Sequence, residues 1–456
     1  MPRICSFFLL ACTLAAEPAD WIWSGRYVIT MDARHRVIAN GAVAVRGDRI
    51  AAVGSKAEID ARFQATRRLD RPDAILAPGL INTHTHAAMS LLRGLADDLN
   101  LQDWLNKFIF PAESKNLSRE YVRWGTRLGV LEMLLGGTTT FIDMYYFEDV
   151  VAEVAKEAGM RGVLGETIIG FPVADAKTPS DALRFTETYL QRFRNDPLVV
   201  AAVAPHAIFT NSDETLKAAR ALANRYGAPL LIHVSETKKE NDDELAKRHM
   251  TPVKALDALG VFNGRTVAAH CVWVNDADLA VLKARGVGVA HNPSSNAKLA
   301  SGVAPVPKMR ALGIAVGLGT DGPAGSNNDL NLFEEMDLAV KLQNVSTLNP
   351  QALSAEAALE MATIDGARAL GLDKKLGSLE AGKQADVITV RTDRPNAVPL
   401  YNPISQMVYA LKGEDVEDVM VNGKIVIRDG RSLTLDEKQI LSKAAEYALQ
   451  VTRSLK

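Results

Sequence analysis

Four residues with metal-binding side chains stand at the ends of apolar, strand-like runs: His84, His86, His233 and Asp321. His84 and His86 are two residues apart, so on a strand their imidazoles lie on the same face and can ligate one ion together. An aspartate that ends a buried strand needs a cation or a water as partner, because an unpaired buried carboxylate is very costly. Taken singly, each histidine could be a hydrogen-bonded core residue. Jointly, three imidazoles and one carboxylate predict a metal site with a position open for water, which is typical of catalytic centres.

Further titratable residues fall near other predicted strand ends. Glu236 follows His233 by three residues, and a carboxylate beside an activated water can shuttle protons. A solvated loop glutamate is the alternative. His270 could polarise the water or a developing oxyanion, unless it is a hydrogen-bonded core histidine. His206 could contact substrate or support another residue, whereas His291 is expected to orient a loop. A divalent cation in such a site lowers the pKa of a water from about 15.7 toward about 7.

The middle of the chain alternates apolar strand-like runs with amphipathic helix-like runs, such as Leu216–Tyr226 and Asp276–Arg285. Eight strand–helix units, with strands buried on both faces, predict an α/β fold: a closed (β/α)8 barrel of the TIM type. Six of the eight histidines fall at the predicted strand ends, where such barrels carry their chemistry. The predicted strands end at His84/His86, Asp143, Glu166, His206, His233, His270, His291 and Asp321.

Both ends of the chain are rich in short strand-like runs separated by Gly and Asp turns, and Asn422-Gly423 is a strong hairpin signal. We therefore predict one small composite β-sandwich domain built from residues 17–76 and 377–456, the second part including a C-terminal helix. A metal-dependent hydrolase barrel is then expected over residues 77–376.

The overall composition bears on the kind of partner. The net charge is −2 and no long basic run is present, so we expect no nucleic-acid partner. No apolar stretch is long enough to span a bilayer. A small-molecule partner remains by elimination. Of the three cysteines, only Cys271 lies in the body of the chain, so no disulfide framework is expected there.

Residues 1–16 resemble a short secretory signal, because Arg3 precedes an apolar run from Ile4 to Ala16. Leu9–Cys12 also resembles a lipoprotein cleavage box with the lipid on Cys12. The segment predicts export to the periplasm or a lipid anchor, whereas a mis-assigned start would leave the protein cytoplasmic.

Five segments together resemble the amidohydrolase superfamily, in the subtype with one metal and no carboxylated lysine. Within the superfamily, the chain is similar to the 5-methylthioadenosine/S-adenosylhomocysteine deaminases from Trp21 to about Gly430. The segments that carry the resemblance are Pro78–Trp104, Phe110–Glu113, His233–Glu240, His291–Val306 and Gly317–Met336.

The resemblance implies roles for individual residues. One divalent metal would be held by His84, His86, His233 and Asp321; zinc is expected, although iron and manganese accept the same ligand types. Glu113 would bind the ribose hydroxyls, and a carboxylate can accept hydrogen bonds from two vicinal hydroxyls. The substrate-contacting residues would be Glu113, His206, Glu236 and Asp321, and the catalytic residues Glu236, His270 and Asp321.

The implied reaction is hydrolytic deamination of 5′-methylthioadenosine or S-adenosylhomocysteine, with adenosine as a further candidate, to the inosine derivative and ammonia. A deaminase of free guanine, pterin or cytosine, or a triazine hydrolase, would use the same scaffold, and Glu113→Gln should cripple only a ribose-dependent enzyme. A non-enzymatic metal-binding protein is the remote alternative, against which Glu236, His270 and Asp321 together argue. A homo-oligomer is a further expectation.

Two departures from the family pattern concern the group attached to the ribose. Some members engage substrate through arginines that follow the third strand, yet Glu166–Pro179 contains no arginine. His206 is followed by Ala207, where relatives often have serine.

Overall fold

The computed structural model describes residues 16–456. Only Ala16 of the signal-like segment falls in this range, so the export prediction concerns residues outside it. Within residues 16–456, no helix has the length and apolar character needed to cross a lipid bilayer.

The described chain begins with four strands, of which the first two are rich in the β-branched and aromatic residues that suit a pleated, half-buried surface. The first strand pairs antiparallel with the second and parallel with the fourth, and the third extends the sheet beyond the second. The four strands are β1 (Glu17–Ile29), β2 (Val37–Arg46), β3 (Arg49–Ser55) and β4 (Phe63–Pro78).

Eight parallel strands follow in sequence order, each hydrogen-bonded to the next. They are β5 (Leu80–Thr85), β6 (Thr138–Tyr145), β7 (Arg161–Ile168), β8 (Val199–Pro205), β9 (Leu230–Val234), β10 (Thr266–His270), β11 (Gly288–His291) and β12 (Val316–Leu318). Beyond β12, Asp321 forms a parallel bridge with Thr85 and donates its N–H to the His84 carbonyl at 2.9 Å. The last strand therefore returns to the first, and the predicted (β/α)8 barrel is confirmed.

The passage between the two sheets lies at Gly79. Pro78 still pairs with Val387 in the terminal sheet, whereas Leu80 pairs with Thr138 in the barrel. A Cβ on Gly79 would lie 2.2 Å from the Thr139 side chain. Only glycine therefore fits where the chain turns from one sheet into the other.

The C-terminal strands complete the first sheet and join the two chain ends, as predicted. They are β13 (Val387–Arg391), β14 (Val416–Val421), β15 (Lys424–Arg428) and β16 (Arg431–Ser432). β13 pairs antiparallel with β4, and the sheet order is β16-β15-β14-β13-β4-β1-β2-β3. Asn422 and Gly423 have φ of +51° and +77°, the conformation that a two-residue type I′ hairpin requires. The boundaries 17–76, 77–376 and 377–456 stay a prediction.

Most of the helices surround the barrel. They are α1 (Lys56–Arg62), α2 (Leu101–Asp103), α3 (Phe110–Asn116), α4 (Arg119–Leu135), α5 (Glu148–Ala158), α6 (Pro179–Arg192), α7 (Asp213–Tyr226), α8 (Lys238–Arg248), α9 (Pro252–Ala258), α10 (Asp276–Arg285), α11 (Pro293–Lys298), α12 (Val306–Ala311), α13 (Leu332–Thr347), α14 (Ala355–Met361), α15 (Ile364–Ala369), α16 (Pro403–Tyr409) and α17 (Glu437–Ser454). The predicted helix at Asp276–Arg285 is α10, which begins at an Asn275–Asp278 capping box and ends at Gly286 in the left-handed conformation.

The C-terminal helix α17 packs against α3 and α4 beside the barrel mouth. The Asn116 amide at the end of α3 donates to the Ser454 hydroxyl at 2.8 Å, and the rings of Tyr121 and Tyr447 meet edge to face with centroids 5.3 Å apart. The end of the chain thus supports the helix that carries Glu113.

Candidate active site

His84 lies in β5, and His86 follows directly after this strand at the carboxyl end of the barrel. The His86 Nδ1 donates to the Met144 carbonyl at 2.6 Å, so its Nε2 presents a lone pair. The His84 Nε2 is buried and has no hydrogen-bond partner among the described residues. Both Nε2 atoms are therefore available as ligands.

Asp321 lies three residues beyond β12 with φ of +63°. Its Oδ1 is 3.4 Å from the His84 Nε2 and 3.3 Å from the His86 Nε2. Two atoms bonded to a tetrahedral ion at about 2.0–2.1 Å stand about 3.4 Å apart. Both separations from the Asp321 Oδ1 are close to this value. The Ser295 hydroxyl donates to the Asp321 Oδ2 at 2.6 Å and orients the carboxylate.

His233 in β9 completes the predicted ligand set. Its ring centroid is 4.9 Å from that of His84 and 5.5 Å from that of His86. Its Nδ1 donates to the His206 carbonyl at 2.8 Å, which leaves the Nε2 free. His206, directly after β8, lies beside the cluster with its ring centroid 4.7 Å from that of His233. His84 thus belongs to two groups of close donor atoms, one with His86 and Asp321 and the other with His233 and His270.

The protonation states of this cluster suit a cation. Burial lowers the pKa of His84 to about 4 and of His206 to about 3, and it lowers the pKa of His233 well below the usual value. Burial opposes ionisation of Asp321, but the imidazoles of His84 and His86 that face its carboxylate hold its pKa well below its usual range. Burial also opposes the charge on His86, but Asp321 raises its pKa to about 9. Metals bind neutral imidazoles and ionised carboxylates, so a bound cation would displace the His86 proton.

Glu236 and His270 lie at the ends of the adjacent strands β9 and β10. The His270 Nε2 is 3.8 Å from the Glu236 Oε2, and its Nδ1 donates to the Asn296 Oδ1 at 2.9 Å. His270 also offers a nitrogen within 4.8 Å of ring nitrogens of His84 and His233. Burial raises the pKa of Glu236, so its carboxyl group holds a proton more readily than an exposed glutamate would. A carboxyl of this kind can both accept and donate a proton.

Glu113 lies on α3, which is reached through α2 and the π-helical turn Trp104–Ile109. The Trp104 indole N–H donates to the Ala324 carbonyl at 2.8 Å and ties this irregular segment to the loop after Asp321. The Tyr145 hydroxyl donates to the Glu113 Oε1 at 2.6 Å. Burial raises the pKa of Glu113 to about 7, against the opposing effect of this hydrogen bond.

One cavity opens at the carboxyl end of the barrel. All the predicted site residues except His84 line it. Most of the remaining wall is apolar or aromatic, and includes Met89, Leu101, Trp104, Leu105, Ile109, Phe110 and Phe209. A concave apolar wall with few convergent polar groups is typical of a site for a small organic molecule.

Sequence reasoning missed several supporting residues. Asp143 accepts from the Thr85 hydroxyl at 2.5 Å and from the Ala87 N–H at 2.7 Å, which fixes the backbone on both sides of His86. It was predicted only as a strand end. Tyr145 and Ser295 gave no sequence signal, because their roles depend on which residues the fold brings opposite them. His291 was expected to orient a loop, but its ring makes no hydrogen bond among the described residues.

A closed parallel barrel whose carboxyl end gathers imidazoles and carboxylates around one cavity defines a class of barrel hydrolases. The chain belongs to the amidohydrolase family, whose model matches residues 75–426. This family is metal-dependent, and the chain is a hydrolase acting on carbon–nitrogen bonds, as the sequence predicted. Residues 41–63 also match the bacterial imidazolonepropionase-like composite domain, in keeping with the sheet that both chain ends build.

Similar proteins include several deaminases. The chain is 46% identical over 435 residues to a 5-methylthioadenosine/S-adenosylhomocysteine deaminase of Syntrophobacter fumaroxidans, covering 95% of this chain and 99% of the relative. It is 43% identical to a 5′-deoxyadenosine deaminase of Methanothermobacter thermautotrophicus, covering 91% and 96%. The crystal structure of an adenosine deaminase from Xanthomonas campestris with bound zinc superposes with a TM-score of 0.94 at 38% identity, covering 96% and 100%.

Proposed function

We propose that the protein is a zinc-dependent hydrolytic deaminase of 5′-substituted adenosines, in particular 5′-methylthioadenosine and S-adenosylhomocysteine, with adenosine as a further substrate. The observation that carries the proposal is the single cavity onto which Glu113, Glu236 and the imidazole–carboxylate cluster open. The names of the similar deaminases support the substrate class. The substrate is a small molecule, and a homo-oligomer stays a prediction.

His84, His86, His233 and Asp321 would hold the zinc ion. The donor set fits the group: the His84 Nε2 is buried without a partner, and the two separations from the Asp321 Oδ1 suit a tetrahedral ion. When bound, the ion supplies Lewis acidity and lowers the pKa of a water to about 7.

The chain's own residues would move the protons. In the overall reaction, a water oxygen bonds to the amino-bearing carbon of the purine, the bond to the amino group breaks, and ammonia leaves. Asp321 accepts a proton from the water and passes it to the amino group, which leaves as ammonia. Glu236 delivers its proton to the ring nitrogen beside the reacting carbon and regains one from the added hydroxyl as the carbonyl forms. His270 points its Nε2 toward Glu236, at 3.8 Å, and stabilises the charge that develops on the attacking oxygen.

Glu113 would recognise the ribose. Its carboxylate is fixed at one oxygen by the Tyr145 hydroxyl, and two vicinal hydroxyls can donate to the remaining lone pairs. His206 lines the cavity on another side, where it can contact the bound nucleoside. A buried carboxylate left without hydroxyl partners is costly, so this site favours a riboside over a free guanine, pterin, cytosine or triazine.

The test is direct turnover of purified, zinc-loaded protein. Incubation with 5′-methylthioadenosine, S-adenosylhomocysteine, adenosine and free guanine should release ammonia from the adenosines and not from guanine. The variant Glu236→Gln should lower kcat by about 10²–10⁴-fold with unchanged zinc content, as expected for loss of a proton shuttle. Ammonia release from guanine alone would overturn the proposal in favour of a free-base deaminase.

A further inference from the structure

The first turn of α11 contacts two of the proposed catalytic residues. The Ser295 hydroxyl donates to the Asp321 Oδ2 at 2.6 Å. The next residue, Asn296, accepts from the His270 Nδ1 through its Oδ1 at 2.9 Å. Ser295 and Asn296 are both buried. One short stretch of backbone therefore holds the proposed proton acceptor together with the residue that stabilises charge on the attacking oxygen.

This turn depends on a residue outside the helix for its cap. The side chain of Asn292, which precedes the turn, caps none of its N–H groups within the described part of the chain, and Pro293 has no backbone N–H. The N–H of Ser294 instead donates to the Glu335 Oε2 at 3.1 Å. Glu335 lies in the first turn of α13. A carboxylate from another helix thus stabilises the start of α11, as an acidic N-cap side chain would.

The other Glu335 oxygen holds the segment that contains Asp321. The Asn327 amide donates to the Glu335 Oε1 at 2.9 Å and to the Thr320 carbonyl at 2.8 Å. Thr320 directly precedes Asp321 in the sequence. Glu335 therefore bonds two separate segments, one of which contacts Asp321 while the other contains it.

The Glu335 side chain is buried away from the substrate. Burial raises the pKa of Glu335 to about 8, and the hydrogen bonds with Ser294 and Asn327 oppose this rise because they favour the ionised form. A buried carboxylate is costly unless its oxygens are bonded, so its two contacts are expected to be held firmly. Glu335 does not line the active-site cavity, so any influence on the reaction passes through the residues that it bonds.

Resting on the proposed function, we propose that Glu335 is a positioning residue for the deamination: it fixes the first turn of α11 and thereby holds Asp321 and His270 in place relative to the substrate. Displacement of this turn would move both groups together. Glu113 and His206 lie on other elements, α3 and the end of β8, and would keep their contacts with the nucleoside. The expected signature is a loss of kcat with little change of KM.

The first variant is Glu335→Gln, which keeps the size of the side chain but has one acceptor oxygen. Its amide group would face either the Ser294 N–H or the Asn327 amide, and that contact would be lost. The assays use about pH 9, where the parent carboxylate is ionised. At saturating zinc, kcat for 5′-methylthioadenosine should fall by about 100-fold, with KM close to the parent value.

Zinc affinity gives a readout that needs no substrate. Competition with a chromophoric chelator should show that Glu335→Gln binds zinc about tenfold more weakly, because the Asp321 carboxylate loses part of its support. The matched control is Glu334→Gln, the same change at the exposed neighbouring position of α13. It should match the parent in kcat, KM and zinc affinity.

A double-mutant cycle tests whether Glu335 acts through α11. Asn296→Ala removes the acceptor of the His270 Nδ1 and should lower kcat by about tenfold. Combined with Glu335→Gln it should add little further loss, because the turn is already displaced; independent effects would multiply. Asn327→Ala is the second variant, for the case that Glu335→Gln fails to fold. It frees the other Glu335 oxygen and should also lower kcat with KM retained.

Parent-like kcat and zinc affinity in Glu335→Gln, or in Asn327→Ala where that variant replaces it, would overturn this inference and leave the deaminase proposal intact. Losses that multiply in the double variant would overturn it as well. A parent protein that releases ammonia from no adenosine would refute the proposed function. The zinc affinity of Glu335→Gln would then decide by itself whether Glu335 positions Asp321.

Discussion

The Glu240 carboxylate accepts a hydrogen bond from the backbone N–H of Glu236 at 2.8 Å, and its other oxygen accepts from the N–H of Ser235 at 3.0 Å. Ser235 is in the left-handed conformation with φ of +51°, so these two bonds hold a backbone turn that is unfavourable for a residue with a Cβ. Glu240, in the first turn of α8, thus fixes the direction in which the proposed proton-shuttling side chain leaves β9.

We expect Glu240→Gln to lower kcat by about 10²-fold, since small displacements of a catalytic group have effects of this size. A glutamine has one acceptor oxygen, so its amide group would face one of the two N–H donors and displace the turn. Steady-state kinetics on 5′-methylthioadenosine check this, with zinc content measured in parallel.

The control for this prediction is Asp243→Asn, on the solvent-exposed face of the same helix. It should retain full activity. Parent-like kcat in Glu240→Gln would show that the two hydrogen bonds do not position Glu236.

The pKa of Glu113, which burial raises to about 7, predicts a pH dependence of ribose recognition. The ionised carboxylate is the better acceptor for hydroxyl groups, so KM for adenosines should fall as the pH rises through about 7. Glu113→Gln should remove this dependence and raise KM. Tyr145→Phe removes the hydrogen bond that lowers the pKa, so it should shift the midpoint to higher pH. A KM without any change between about pH 6 and 8 would contradict this role.

The same pKa shift has a consequence for stability, best measured in the presence of a chelator. The folded protein binds the Glu113 proton more tightly than the unfolded chain, whose pKa is near 4.5. Ionisation of Glu113 therefore lowers the free energy of unfolding progressively as the pH rises from about 4.5 to 7, by up to about 3 kcal/mol. Glu113→Gln should match the parent in denaturant unfolding near pH 4 and exceed it near pH 8. Equal stabilities at both pH values would argue against the raised pKa.

The hydrogen bond from Ser295 to Asp321 predicts an effect on metal affinity without loss of a proposed ligand. Ser295→Ala frees the Asp321 Oδ2 in a buried position, and removing such a supporting partner weakens metal binding by about 10–100-fold. Competition with a chromophoric zinc chelator measures this. Ser294→Ala removes a neighbouring buried hydroxyl that has no hydrogen-bond partner within residues 16–456; it is the control and should bind zinc like the parent.

The barrel and the proposed ligands were predictable because each depends on the pattern of apolar and polar residues within a short segment of the chain. His233 and His270 end short apolar runs that need only neighbouring residues to be identified as strands, and the barrel topology then places all strand ends at one mouth. The residues that the sequence did not reveal act across the fold. Ser295 reaches Asp321 across 26 positions in sequence, and Tyr145 reaches Glu113 across 32.

Glu240 shows why a local pattern can also mislead. Thr237 and Glu240 have the spacing of a capping box, in which the glutamate would bond the N-cap backbone. In the structure, the Thr237 hydroxyl does accept from the Glu240 N–H at 3.2 Å, but the Glu240 side chain turns to Ser235 and Glu236 instead. Which backbone N–H groups the Glu240 side chain bonds depends on the positive φ of Ser235, and no sequence pattern predicts that conformation.

The most direct test of the account is a zinc titration of metal-depleted protein with ammonia release from 5′-methylthioadenosine as the readout. Activity should rise in proportion to bound zinc and reach its plateau at a single equivalent per chain, and His84→Ala should neither retain zinc nor release ammonia. Full zinc occupancy without ammonia release from any 5′-substituted adenosine, or undiminished activity in His84→Ala, would contradict the account.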